Sequence, residues 1–200
     1  MTDALATRYE IALPPWAVTE AAGLPAVLPT AEDRMRVVHA LAGRNFREGN
    51  GGPFAALVAD ADTGELVSIG VNVVLASNVS SAHAEVVALG LAQARLGTWD
   101  LSAGGRRLEL VVNWRPCVQC YGAAFWSGIR SLVIAGSGPE LEEVTGFDEG
   151  PVRDDWVEQF ERRGITVTDG VLRDEALATW DAYRAHVQAT GAVVYNARQG

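Results

Sequence analysis

Three side chains stand out for what they could hold together: His83, Cys117 and Cys120. Imidazole nitrogen and thiolate sulfur are both good ligands for Zn²⁺. Cys117 and Cys120 lie three residues apart on a stretch that reads as a helix, so they share a face. They fall at its N-terminus, where the backbone dipole favours the thiolate. His83 falls at the start of the preceding predicted helix. A structural zinc normally takes four protein ligands, but the chain has two cysteines, and its other histidines, His39 and His186, sit far from the motif. Three ligands leave a fourth position for water, which is the catalytic arrangement and brings that water's pKa to about 7. Glu85 follows His83 by two residues. At a first helical turn the two flank one point above the helix end, and Glu85 is read there as a proton shuttle. Taken alone, the Cys-x-x-Cys pair also suits redox work.

These residues need a frame that brings two helix starts to one place. Thr30 with Asp33 marks a capped helix start, and Met35, Val38, Ala42 and Phe46 recur at helical spacing after it. Phe54–Ala59 and Glu65–Val71 read as a strand pair joined by Asp62-Thr63-Gly64. A polar loop follows from Asn72 to Ser81, then a helix from about Ala82 to Leu96, with Gly97 as its cap. Further strands are expected at Arg107–Asn113, Ser131–Ala135 and Ile165–Thr168. The helices between and after them are expected at Cys117–Ser127, Asp154–Arg163 and Asp174–Gln188. The order αββαβαβαβα predicts a three-layer α/β/α domain around a central mixed five-stranded sheet. Residues 1–29 differ, with Pro14, Pro15, Pro25 and Pro29. They are read as an N-terminal Pro-rich extended arm, and residues 30–200 as the domain proper.

Composition narrows the partners. The 200 residues are 48% apolar and 20% charged, which suits one ordinary globular domain. The net charge of −9 disfavours a polyanionic substrate, because nucleic-acid binders carry a basic stripe. No stretch approaches the roughly 20 apolar residues that span a bilayer, and no secretory leader is read, so a cytoplasmic location is expected.

The joint pattern is more specific than its parts. His83-Ala84-Glu85 followed by Pro116-Cys117-Val118-Gln119-Cys120 matches the H-x-E…P-C-x-x-C signature of zinc deaminases. The chain resembles the cytidine-deaminase-like superfamily, and within it the bacterial guanine deaminases, over roughly residues 30 to 170. The resemblance rests further on Gly51-Gly52-Pro53-Phe54, on Gly70-Val71-Asn72 with Ser77-Asn78, on Gly122-Ala123-Ala124-Phe125-Trp126, and above all on Gly146-Phe147-Asp148-Glu149. It implies a zinc-dependent aminohydrolase that converts guanine to xanthine and ammonia, acting as a homodimer. It also implies that Phe54 stacks on the base, Asn72 and the Ala84 backbone hydrogen-bond the ring, and Trp126 walls the pocket. Glu149 would contact the amino group as a second proton carrier, with Asp148 beside it. Two departures stand out: Arg115, where the family usually has Glu, and Asn113-Trp114, where it often has small hydroxyl residues. Rival readings are a deaminase of another small ring (guanosine, cytosine, ammeline or a secondary-metabolite base), a tRNA adenosine deaminase, and a zinc protein without catalysis.

Overall fold

A computed structural model describes residues 5–196, so the outermost ends of the expected extension and domain, residues 1–4 and 197–200, lie outside it. Five strands form one sheet in the order β2-β1-β3-β4-β5. They are β1 (Ala55–Asp60), β2 (Leu66–Val71), β3 (Leu108–Val112), β4 (Ser131–Ile134) and β5 (Thr166–Thr168). β1 runs antiparallel to both β2 and β3, whereas β3, β4 and β5 are parallel, so the sheet is mixed as expected.

The strands sort their side chains by alternation. Ala55, Leu57, Ala59, Val111 and Val133 face one apolar core, and Ala56, Val58, Leu108, Leu110, Val112, Leu132 and Ile134 face the other. Burial on both faces explains why these strands read as near-continuous apolar runs. The first core is closed by α2 (Ala31–Asn45) and α8 (Arg173–Thr190), and the second by α4 (Ala84–Leu96), α5 (Val118–Ser127) and α7 (Trp156–Glu161). This is the three-layer α/β/α arrangement. An ion pair is built into the first core: Glu109 of β3 pairs with Arg34 of α2 at 2.5 Å, both almost fully buried. Arg34 also donates to the Leu28 carbonyl at 2.7 Å, which fastens the chain before α2 to the body.

Helix α2 starts as the sequence predicts: Thr30 and Asp33 form a reciprocal capping box. Gly97 and Gly128 end α4 and α5 in the left-handed conformation. The N-terminal stretch departs from expectation. Instead of an extended arm, Pro15–Gly23 forms helix α1, with Ala17 fully buried and Arg44 of α2 paired to Glu20. Pro15 sits at its first position, where a missing N–H costs nothing and the fixed φ favours a helix. Two short helices were also not expected, α3 (Val74–Ser77) inside the polar loop and α6 (Glu140–Thr145) after β4.

Candidate active site

β2 and β3 both run antiparallel to β1, so their C-terminal ends meet the N-terminal end of β1 at one edge of the sheet. The zinc-motif residues, with Phe54 and Asn72, lie where the chain enters or leaves the sheet there. The chain enters β1 through Phe54 and leaves β2 through Asn72. From β3 it passes Asn113, Trp114 and Arg115 to Cys117. His83 is the N-cap of α4 and Cys117 the N-cap of α5, so α5 begins one residue later than predicted and Cys120 lies in its first turn.

Helix α4 can bring its first turn to this edge because β2 carries Gly70 beneath it. A side chain there would meet the Ala84 carbonyl and lie 2.5 Å from the Ala88 nitrogen. Both are backbone atoms that cannot swing aside.

His83 Nδ1 lies 3.4 Å from Cys117 Sγ and 3.5 Å from Cys120 Sγ. All three ligand atoms fall within 4.8 Å of one another. A tetrahedral zinc with Zn–N of about 2.0 Å and Zn–S of about 2.3 Å sets its nitrogen and sulfur ligands roughly 3.5 Å apart. The spacing and the donor set therefore both fit zinc. Cys120 is fully buried and Cys117 nearly so.

The protonation of the triad is lopsided. The hydrogen bond from Cys120 holds the Cys117 thiol down at about 4, against its burial and with help from His83. Burial pushes the Cys120 thiol up, and the neighbouring Cys117 charge adds to this. Zinc must therefore displace the Cys120 proton while Cys117 is already ionised. Against its burial, the Cys117 hydrogen bond and charge raise the pKa of the His83 imidazole, which holds a second proton for zinc to displace. Zinc affinity of the metal-free protein is therefore expected to rise by about tenfold or more per pH unit between pH 6 and 8. Competition with a chromophoric chelator measures it, and a flat profile would refute the assignment.

Above the triad lies a cavity of about 360 Å³. Phe54, Asn72, His83, Glu85, Cys117, Asp148 and Glu149 all line it, so residues spread over nearly a hundred positions converge as predicted. The Glu85 carboxyl is buried beside the two thiols, and burial raises its pKa. Glu149 is also buried, and burial with the nearby Cys117 and Glu85 charges pushes its carboxyl up to about 8. Its backbone carbonyl accepts from the Val118 N–H at 3.0 Å, which ties the 146–149 segment to the first turn of α5. The Asp148 carboxylate accepts from the Gly150 N–H at 2.8 Å at the cavity rim. Asn72 serves its loop and keeps a free group: Oδ1 accepts from the Val74 N–H at 3.3 Å, while the buried Nδ2 makes no hydrogen bond of its own.

One expectation lands differently. Trp126 does not wall this cavity. It is 85% exposed, because α5 turns Cys120, Ala124 and Ser127 inward and so sends Trp126 outward. Nine residues beyond Cys117, it also sits roughly 13 Å up the helix from the site. The Ala84 side chain is fully buried and outside the lining, which leaves its backbone as the part that could meet a ligand.

The sequence reading assigned no ring contact to several walls. Phe147 packs edge-on to Phe54 with centroids 5.2 Å apart, and Tyr195 packs on Phe147 at 4.9 Å. Asn196 and Trp114 complete that side. Ala197, next in the chain after Asn196, lies outside the described residues. Arg115 also lines the cavity, with its Nε donating to the Ser137 carbonyl at 3.1 Å and its guanidinium 3.8 Å from Glu142.

Residues 29–136 match the family model described as the cytidine and deoxycytidylate deaminase zinc-binding region. Guanine deaminase of Bacillus subtilis (strain 168) is 31% identical over 144 residues, covering 72% of this chain and 87% of that protein. The solved guanine deaminase from Nitrosomonas europaea is 48% identical with a TM-score of 0.83, covering 92% of this chain and 98% of that one. A structure of NE0047 in complex with 2,6-diaminopurine is also 48% identical, with a TM-score of 0.84, covering 99% of this chain and all of that one. The chain belongs to the zinc-binding cytidine and deoxycytidylate deaminase family and is a zinc-dependent hydrolytic deaminase.

Proposed function

We propose that the substrate is a free purine base, guanine first, hydrolysed to xanthine and ammonia. The observation that carries this reading is the convergence of Phe54, Asn72, Glu85 and Glu149 on one small cavity above the His83–Cys117–Cys120 triad. A 360 Å³ cavity sits at the low end of small-molecule sites, which suits a base better than a strand. The likeness to guanine deaminases and to a 2,6-diaminopurine complex supports the choice of ring.

Bound by His83, Cys117 and Cys120, zinc supplies the Lewis acidity that makes water a nucleophile near neutral pH. Glu85 takes one proton from the attacking water and hands it to the ring nitrogen, then takes the second from the newly added hydroxyl and hands it to the departing amine. Its buried carboxyl, with a raised pKa, is suited to carrying a proton both ways. Phe54 stacks on the ring, with Phe147 packed against its edge. Asn72 turns its free Nδ2 to a ring acceptor, and the Ala84 backbone takes a further ring contact. Glu149 faces the amino group as a second proton carrier, and Asp148 guards the rim.

The net charge of −9 argues against a nucleic-acid substrate. No described helix is long and apolar enough to cross a membrane, and we place the enzyme in the cytoplasm. A homodimer suits the exposed aromatics Trp99 and Trp126. The Leu101 N–H donates to the Ser127 carbonyl at 2.8 Å, which sets the two segments that carry these aromatics side by side.

Ammonia release by zinc-loaded protein is the test, run against guanine, guanosine, adenine, cytosine, cytidine and ammeline. Guanine is expected to be the best substrate by at least about tenfold. Release from another ring but not from guanine would overturn the substrate and keep the chemistry. Arg115→Glu would then show whether that position chooses the ring.

A further inference from the structure

The walls that would hold the ring are irregular backbone. Regular pairing of β1 with β3 ends at Ala56 opposite Val112, and Phe54 lies two residues beyond it. Asn72 likewise lies just past the end of β2. Backbone groups at such an edge, beside a wet cavity, would ordinarily be satisfied by water and leave the segment free to shift.

Here two buried asparagines fix them. The ladder would next need a partner for Ala55, and the Asn113 side chain supplies it: Oδ1 accepts from the Ala55 N–H at 3.2 Å. Its Nδ2 donates to the Pro53 carbonyl at 2.9 Å, so one amide grips the chain on both sides of Phe54. From the other side, Asn45 of α2 donates through Nδ2 to the Gly52 carbonyl at 2.9 Å and to the Asn72 carbonyl at 2.7 Å. The Asn72 N–H in turn donates to the Phe54 carbonyl at 3.0 Å. Asn45 and Asn113 have no exposed surface. The packing around them is close: a side chain at Gly51 would lie 2.6 Å from the Asn72 carbonyl oxygen, and one at Gly52 would lie 2.8 Å from the Phe54 ring. An asparagine carries both a donor and an acceptor, as a peptide does, which is why this residue type can replace a missing ladder rung.

We infer that Asn45 and Asn113 are positioning residues that set the Phe54 ring and the Asn72 amide at the spacing a planar ring requires. Neither touches the cavity, and both act through the backbone at 52–55 and 72. This rests on the reading of Phe54 and Asn72 as ring-binding groups. It also gives the departure at Asn113 a purpose that a small hydroxyl residue could not serve, since reaching both Pro53 and Ala55 takes a longer side chain with two polar atoms.

The test uses zinc-loaded Asn45→Asp and Asn113→Asp. Each keeps the volume, but the first sets a carboxylate against two carbonyls, and the second loses the bond to Pro53. We expect one zinc per chain as in the parent, KM for guanine raised about tenfold or more, and kcat changed by less than about threefold. Amide exchange should quicken about tenfold or more at 54–55 and 72–74 while residues 84–87 keep parental protection. If the Asp variants fail to fold, Asn45→Ser and Asn113→Ser are read the same way. KM within twofold of the parent in folded variants, or exchange quickened evenly across the sheet, would overturn the inference. A parent inert towards guanine would sink the choice of base alone, because the exchange pattern still decides the positioning.

Discussion

Replacing Glu85 by glutamine is expected to leave the fold and the zinc in place and to lower kcat by about a thousandfold or more. The two side chains have nearly the same shape, so the first turn of α4 and the His83 ligand beside it should not move. Glutamine also removes a carboxyl that is almost fully buried next to two thiols, where burial and the Cys117 charge oppose its ionisation. The melting temperature should therefore hold or rise slightly. What glutamine cannot do is take a proton from water and return it to the ring and the departing amine. Loss of a single proton carrier typically costs 10²–10⁴-fold, and Glu85 would serve two successive transfers, which places the estimate in the upper part of that range. Metal content, melting temperature and ammonia release on one preparation check it. Turnover within tenfold of the parent would remove Glu85 from the chemistry.

Glu85 and its three zinc-binding neighbours were legible in the sequence because each lies in a short local motif at the start of a helix. Two such starts meet whenever strands of the same direction precede them, so topology does the rest. The elements that were legible share this local character. Thr30 and Asp33 announce α2 by a reciprocal bond within four residues. Gly97 and Gly128 mark helix ends because the left-handed conformation suits glycine. Helix α1 was obscured because proline density outweighed the position of each proline: Pro15 opens a helix, whereas an interior proline would break one. Helix α6 carried a readable signal in its acidic first turn and Gly146 cap, but at six residues it shows no helical periodicity.

The remaining walls of the site depend on contacts that no local pattern encodes. Tyr195 reaches Phe147 across 48 residues, and Asn113 reaches Pro53 across 60. Trp126 shows the converse error. Its neighbours in the sequence belong to the helix that carries Cys120, but helical phase turns it away, and counting from Cys120 would have revealed this: Ala124 is four residues on and inward, Trp126 six on and outward.

Helix α4 offers a pair of substitutions with opposite outcomes. Gly70→Val is expected to cost several kcal/mol and to weaken zinc binding at least tenfold. The new Cβ would meet the Ala84 carbonyl and the Ala88 nitrogen, so relief must come from the whole helix lifting off β2. His83 and Glu85 ride on the first turn of that helix, and Cys117 and Cys120 do not, so the lift stretches the triad directly. Gly90→Ala, on the same helix, meets nothing within 4 Å and replaces a poor helix former with the best. It is expected to stabilise by about 0.5–1 kcal/mol and to leave zinc affinity unchanged. Denaturant midpoints and chelator competition on the two variants separate close packing from helix propensity. If Gly70→Val bound zinc as tightly as the parent, the close seat of α4 on β2 would not be what sets the triad's geometry.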